Sequence, residues 1–213
     1  MTDAQATRLE PLRRPDARAA GELLSASHGD YPAFRYVYPA ADVRRRALVP
    51  FMTASAADAA RFGASTVARD EHALIGVALW LPPGAFPWSA RRKLRATPAL
   101  MRTALAAPRS FSPFARIGAA AEKVHPHEPH WYLEALGVHP RHHGRGVGSA
   151  LMAVGLERAD ADGLPCYLET SDPANETFYR RLGFEVIAPR LEHVAGGPPY
   201  LGMRREPRRS PTA

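Results

Sequence analysis

The chain has 213 residues, 46% hydrophobic and 23% charged, which is enough for one sizeable core and short for two. Its longest apolar run, Ala73 to Leu81, falls far below the roughly 20 residues of a membrane-spanning helix, and nothing near Met1 resembles a signal sequence. A cytoplasmic protein with no membrane partner is expected, and the lone cysteine, Cys166, excludes an internal disulfide and a cysteine-rich zinc site.

The net charge of +7 points to an acidic partner: nucleic acid, anionic lipid or a phosphorylated cofactor. The basic residues lie in scattered clusters at Arg44 to Arg46, Arg91 to Lys93 and Arg204 to Arg209. They read as solvated helix faces and a tail, and no recognised nucleic-acid-binding motif accompanies them.

In chain order, the apolar spacing predicts helices over Asp16 to Ser27 and Ala41 to Phe62, joined by a loop rich in tyrosine and proline. Ser65 to Arg69 and Leu74 to Leu81 read as a β-hairpin, stopped by Pro82-Pro83-Gly84. Ser89 to Ala106 and Pro113 to Lys123 read as helices. The histidine- and proline-rich stretch His125 to His130 reads as a loop. Then come a strand over Trp131 to Val138, a glycine-rich turn, a helix to Asp162 and a strand over Cys166 to Thr170. A short helix capped near Asp172 ends at Gly183, and Phe184 to Ile187 begins another strand. The segment Arg204 to Ala213 reads as a fraying basic tail, giving one domain over residues 1–203 and a tail over 204–213.

Between a strand and a helix, Gly144-Arg145-Gly146-Val147-Gly148-Ser149 is placed where unpaired amides and the helix dipole favour phosphate. A mononucleotide P-loop needs Gly-Lys before the hydroxyl residue, and Ser149 follows Gly148 directly. A dinucleotide fingerprint needs a glycine three beyond Gly146, where Ser149 stands, although Glu169 ends the next strand as a ribose-binding acid would. The third chemistry is a coenzyme A pyrophosphate loop.

For that third reading the residues carry a family resemblance. Val138-His139-Pro140 followed by His143-Gly144-Arg145-Gly146-Val147-Gly148 resembles the strand end and Arg/Gln-x-x-Gly-x-Gly/Ala loop of the GNAT acetyltransferases. Downstream, Phe178-Tyr179-Arg180-Arg181-Leu182-Gly183-Phe184 resembles that family's late helix and turn. His143 departs from the usual Arg or Gln. Glu128-Pro129, Leu168-Glu169-Thr170-Ser171 and Asp30-Tyr31-Pro32 resemble the puromycin N-acetyltransferase branch.

The resemblance implies a single α/β domain with a mixed, mostly antiparallel twisted sheet, helices on both faces and a parallel strand pair that splays near Val138. It implies acetyl transfer from acetyl-CoA to a primary amine of a small molecule through a direct ternary complex, with no metal. Acetylation of protein N termini or lysines, or a coenzyme A sensor without turnover, are the alternatives, and the chain is expected as a monomer or homodimer. Tyr179 would be the general acid for the departing thiolate, since a phenol is protonated at neutral pH. Glu134 would take the amine's proton, directly or through water, or hold a cationic substrate.

Strand alternation puts Tyr132, Glu134 and Leu136 on one face and Leu133, Ala135 and Gly137 on the other. Leu136, Gly137 and Val138 would meet the pantetheine arm through backbone groups. His143, Gly144, Arg145, Gly146, Val147, Gly148 and Ser149 would meet the pyrophosphate. Asp172 and Asn175 would touch the arm, with helix capping as the other role for Asp172. Tyr31, Phe34 and Tyr36 would wall the acceptor groove. Six of the nine histidines fall between His125 and His143 without metal-ligand spacing, and His127 or His130 would be an alternative base if that loop covered the site.

Overall fold

A computed structural model of the chain describes residues 7–71, 73–193 and 196–208. It begins with β1 (Arg8–Pro11), α1 (Ala17–Ser27), α2 (Pro32–Val37) and α3 (Ala41–Ala59). The hairpin β2 (Thr66–Asp70) and β3 (Ala73–Leu81) follows, then the helix pair α4 (Ala90–Ala106) and α5 (Pro108–Val124). Next come β4 (Trp131–Val138), α6 (Val147–Asp162), β5 (Cys166–Thr170), α7 (Ala174–Arg181), β6 (Glu185–Leu191) and β7 (Tyr200–Arg205).

The strands form one seven-stranded sheet in the order β1-β2-β3-β4-β5-β7-β6. Neighbours are antiparallel throughout except for β4 and β5, so the expected fold class is the one observed. The parallel ladder is short: Trp131, Tyr132 and Leu133 pair with Cys166, Tyr167 and Leu168. Beyond Leu133 the two strands part, while β5 continues alongside β7 to Thr170. Beyond Leu133 the edge of β4 facing the gap has no strand paired with it.

Each face of the sheet carries its own core. One is built from α6 and the strands, with Trp80, Leu133, Leu151 and Phe184 buried. The other lies under α1 and α3, with Leu24, Met52, Val77 and Leu79. Small residues set the spacing of the layers: a Cβ on Gly155 would fall 2.2 Å from the Trp80 ring, so α6 can lie flat on β3. A third cluster, Val37, Tyr38 and Leu48 with Phe114 and Ile117 packed against it, ties α2 and α3 to α5.

Three sequence expectations are corrected here. The loop between the first two helices contains α2, where Pro32 at the first position supplies a helical φ. The alternation in β4 is broken by a bulge: Leu79 faces Ala135 while Trp80 faces Leu133, so Glu134 is the extra residue. Tyr132 and Glu134 therefore share the α3 side, but Leu136 is rotated onto the α6 side with Leu133. Finally, Arg204 and Arg205 are not tail. They end β7, and Arg205, 3% exposed, makes a two-pronged contact with Asp160, Nη1 to Oδ1 at 2.7 Å and Nη2 to Oδ2 at 2.8 Å. Residues 209–213 of the expected tail lie outside the described residues.

Two of the basic clusters are also less solvated than expected. Arg44 is buried and donates to the carbonyls of Tyr38 and Pro39, and Arg92 pairs with Asp58. Among the described residues no helix is long and apolar enough to cross a membrane.

Candidate active site

The splay between β4 and β5 opens into a cavity of about 490 Å³ on the α1/α3 side. Its walls bring together Tyr31, Phe34, Glu134, Leu136, Asn175 and Tyr179, six of the residues singled out in the sequence. Aromatic rings from α3, α5 and the β3–α4 connection, among them Phe51, Phe86, Trp88 and Phe114, supply an apolar wall. Tyr36 does not take part: it stands 43% exposed on the outer side of α2.

Tyr179 reaches the site because α7 packs its inner side on the α6-side core, with the ring against Phe178 and Phe184. Burial, with a smaller push from Tyr31, raises its hydroxyl above the ordinary phenol value. It therefore holds its proton across the neutral range, as a general acid must.

Glu134 is placed by the bulge. Its carboxyl is pushed up to about 8, first by burial and then by the negative Asp58, with Arg92 and the Ser55 hydroxyl acting in the opposite sense. Oε2 of Glu134 and Oγ of Ser55 are both buried without a hydrogen bond of normal geometry. Asp58 itself is satisfied by Arg92, whose Nε lies 2.9 Å from Oδ2. Glu134 thus stands beside a closed ion pair with one oxygen awaiting a donor.

The glycine-rich turn forms the other end of the splay. Gly144 and Gly146 have φ of 73° and 79°, a region that favours glycine, and nothing lies within 4 Å of where their Cβ atoms would be. Residues 143–146 are exposed, whereas Val147 is buried and anchors the first turn of α6. Gly148 lies 3.5 Å, from its would-be Cβ, to the Phe178 ring. Arg145 and Ser149 stand at the exposed rim. The unpaired first-turn amides and the open space above the glycines suit a pyrophosphate. His143 serves its own loop, with Nε2 2.9 Å from the Val138 carbonyl, which is therefore already engaged. Gly137 admits α1: a Cβ there would meet Ser27 Oγ at 2.5 Å.

Asp172 Oδ1 accepts from the Ala174 amide, the first of α7, at 3.0 Å. Asn175 donates from Nδ2 to Thr170 Oγ1 at 3.4 Å. His127 and His130, the alternative bases if their loop covered the site, do not line this cavity. His130 bonds His125, Nε2 to Nε2 at 2.9 Å, and His125, His127 and His130 line a separate hollow of about 360 Å³. His125 is lowered to about 4 by burial and by its neighbours His130 and His127. No group of His, Cys, Asp or Glu side chains suited to a metal occurs among the described residues. Cys166 is buried in β5, its thiol pushed up to about 12 by burial, and offers no nucleophile.

Sequence reasoning missed Glu169 as a cavity residue and missed His193 altogether. Both line the cavity, and His193 Nε2 lies 2.9 Å from Glu169 Oε2. Only the pairing of β5 with β7 and of β7 with β6 brings them together, so no local pattern announces them.

A sheet splayed at one parallel pair, with a glycine-rich turn after β4 and a buried phenol lining the gap, is an acyltransferase-type fold. The profile of the acetyltransferase (GNAT) family matches residues 32–184, and the chain belongs to that family.

Over 71 residues it is 39% identical to the mycothiol acetyltransferase of Streptomyces avermitilis, a match covering 32% of this chain and 23% of that protein. The chain thus spans about a quarter of the length of that relative. Among solved structures, a Corynebacterium glutamicum protein described as histone acetyltransferase HPA2 and related acetyltransferase superposes with a TM-score of 0.67. The identity is 25%, covering 98% of this chain and 99% of that one. A polyamine N-acetyltransferase from Drosophila melanogaster shares the fold, with a TM-score of 0.56, 17% identity and coverage of 93% and 97%.

Proposed function

We propose that this enzyme transfers acetyl from acetyl-CoA to a primary amine of a small molecule with an apolar body, by direct attack within a ternary complex. The observation that carries this reading is the meeting of Tyr179 and Glu134 in one aromatic-walled cavity at the splay. Acetyl-CoA, when bound, supplies the acetyl thioester. The amides of Gly144 to Ser149 hold its pyrophosphate, and the edge of β4 at Leu136 and Gly137 receives the arm, the Val138 carbonyl being held by His143, with Asn175 alongside. Glu134 takes the amine's proton at its unpartnered oxygen, and a carboxyl near pH 8 is well matched to that task. Tyr179 gives its hydroxyl proton to the sulfur. Tyr31 and Phe34 wall the acceptor.

The buried, poorly ionised Cys166 leaves no place for an acyl-cysteine. The reading keeps the resemblance to the puromycin N-acetyltransferase branch. Likeness to the Corynebacterium protein favours a second acceptor class, a protein lysine or N terminus. Against it, the α5 wall narrows the cavity with Phe111, Phe114 and Ile117.

Incubating the protein with acetyl-CoA and a panel of amines, with thiol release as the signal, tests the reading. Turnover with small apolar amines is expected. Turnover confined to lysine peptides would favour the second class, and acetyl-CoA binding with no turnover on any amine would reduce the protein to a sensor.

A further inference from the structure

Three carboxylates line the cavity, and they differ in what balances them. Glu122 pairs with Lys93, Oε2 to Nζ at 2.7 Å. Glu134 has Arg92 within electrostatic reach and a raised carboxyl pKa. Glu169 has neither a lysine nor an arginine: among the described residues its partners are the Tyr167 hydroxyl, donating to Oε1 at 2.9 Å, and His193 Nε2, 2.9 Å from Oε2. The side chains of His193 and Glu169 are only 1% and 6% exposed.

Each donor fixes one oxygen of Glu169, so the carboxylate is held rigidly on the cavity wall. The His193 ring has its Nδ1 buried without a partner. The Tyr200 ring packs on it with centroids 4.1 Å apart. A buried carboxylate on a cavity wall with no lysine or arginine beside it is an incomplete site, because burial of a charge is costly unless an opposite charge joins it.

Glu169 and Glu134 also lie on the same face of the sheet, on the two strands that part, with Tyr132 feeling both. Their surroundings differ. Glu134 stands beside the Asp58–Arg92 ion pair with one oxygen unpartnered, whereas Glu169 is oriented by one hydrogen bond on each oxygen and has no arginine or lysine against it.

We propose that Glu169, held in place by Tyr167 and His193, anchors the acceptor as its ammonium ion, so that the substrate class is a cationic aliphatic amine on an apolar or aromatic body. Glu169 touches the substrate, and His193 is a positioning residue. The inference rests on the reading of the site as an amine acetyltransferase, and the test separates the two.

Phenethylamine, a cation at pH 7.5, and 2-phenylethanol, its neutral counterpart of similar shape, serve as calorimetric probes of the whole protein, with phenethylamine also assayed for acetyl-CoA-dependent thiol release. The wild type should bind the ammonium at least tenfold more tightly. Glu169→Gln should bring the two affinities together while the Kd for acetyl-CoA stays unchanged. His193→Ala should lose part of the preference, and His193→Gln, which keeps a donor near Nε2, should restore it. Imidazole ¹⁵N signals should show His193 neutral with its proton on Nε2.

Equal binding of the two probes by the wild type, an undiminished preference in a folded Glu169→Gln protein, or a doubly protonated His193 already balancing the carboxylate would each overturn the proposal. Preference for the ammonium without thiol release from any amine would leave the anchor standing and sink the acetyltransfer reading.

Discussion

The Tyr31 hydroxyl donates to Thr170 Oγ1 at 3.2 Å and accepts from the Ser171 amide at 2.6 Å, tying the start of α2 to the end of β5 across 139 residues of sequence. The Ala33 amide adds a bond to Ser171 Oγ at 3.2 Å. The acceptor wall and the open end of the splay are therefore one rigid unit. Tyr31→Phe keeps the ring but leaves the Ser171 amide without its acceptor. It should cost about 1–3 kcal/mol in chemical denaturation and raise KM for the amine severalfold, with acetyl-CoA affinity unchanged. An unaltered KM would separate α2 from acceptor binding.

The glycine-rich turn is predicted to act through its backbone. Gly146→Glu places a negative side chain in the space above the α6 amides, at a φ that costs a non-glycine residue about 1 kcal/mol. Acetyl-CoA affinity should fall at least tenfold by calorimetry while the far-ultraviolet spectrum stays native. Unchanged affinity in a folded variant would remove the loop from cofactor binding.

Glu134 sets a pH dependence. Because its folded value, about 8, lies above that of an exposed carboxyl, the folded state binds the extra proton. This contribution to stability is complete below the unfolded value and declines as pH rises through about 8. Glu134→Gln should therefore be more stable than the wild type at pH 9, by an amount on the order of a few kcal/mol. The rising limb of kcat/KM near pH 8 should disappear in the same variant, measured with an amine of much higher pKa. Persistence of that limb would assign it to another group.

Asp160 has the opposite sign. The Arg205 hydrogen bonds, aided by the Arg208 amide, hold its carboxyl below the usual range despite partial burial. Its contribution is present above the unfolded carboxylate value and is lost as pH falls through the lower, folded one. Asp160→Asn leaves the buried Arg205 guanidinium unbalanced and should cost about 2–3 kcal/mol at pH 7. Deleting the chain from Arg204 should destabilise at least as much, and wild-type stability of that truncation would contradict this role for β7.

The elements that frame the site were readable because their signals are local. Trp131–Val138 and Cys166–Thr170 have the bounds expected from apolar runs and glycine or proline stops. Tyr179, Glu134 and the glycine turn followed from motif and strand position. What escaped the sequence depends on distant partners. β7 hides in an arginine-rich segment because its burial comes from lying between β5 and β6. The bulge at Glu134, which moves Leu136 to the other face, shows only in the register against β3. β1 is a four-residue, fully exposed edge strand without alternation. His193 carries no motif, and its meaning comes from Glu169, 24 residues earlier.

The most direct test of the chemical account is Tyr179→Phe, which keeps the ring against Phe178 and Phe184 and deletes only the hydroxyl. With the best amine acceptor and saturating acetyl-CoA, single-turnover acetyl transfer should slow by on the order of a hundredfold, with the Kd for acetyl-CoA and the melting temperature nearly unchanged. A single-turnover rate equal to the wild type's would contradict the account and leave Tyr179 as a core aromatic.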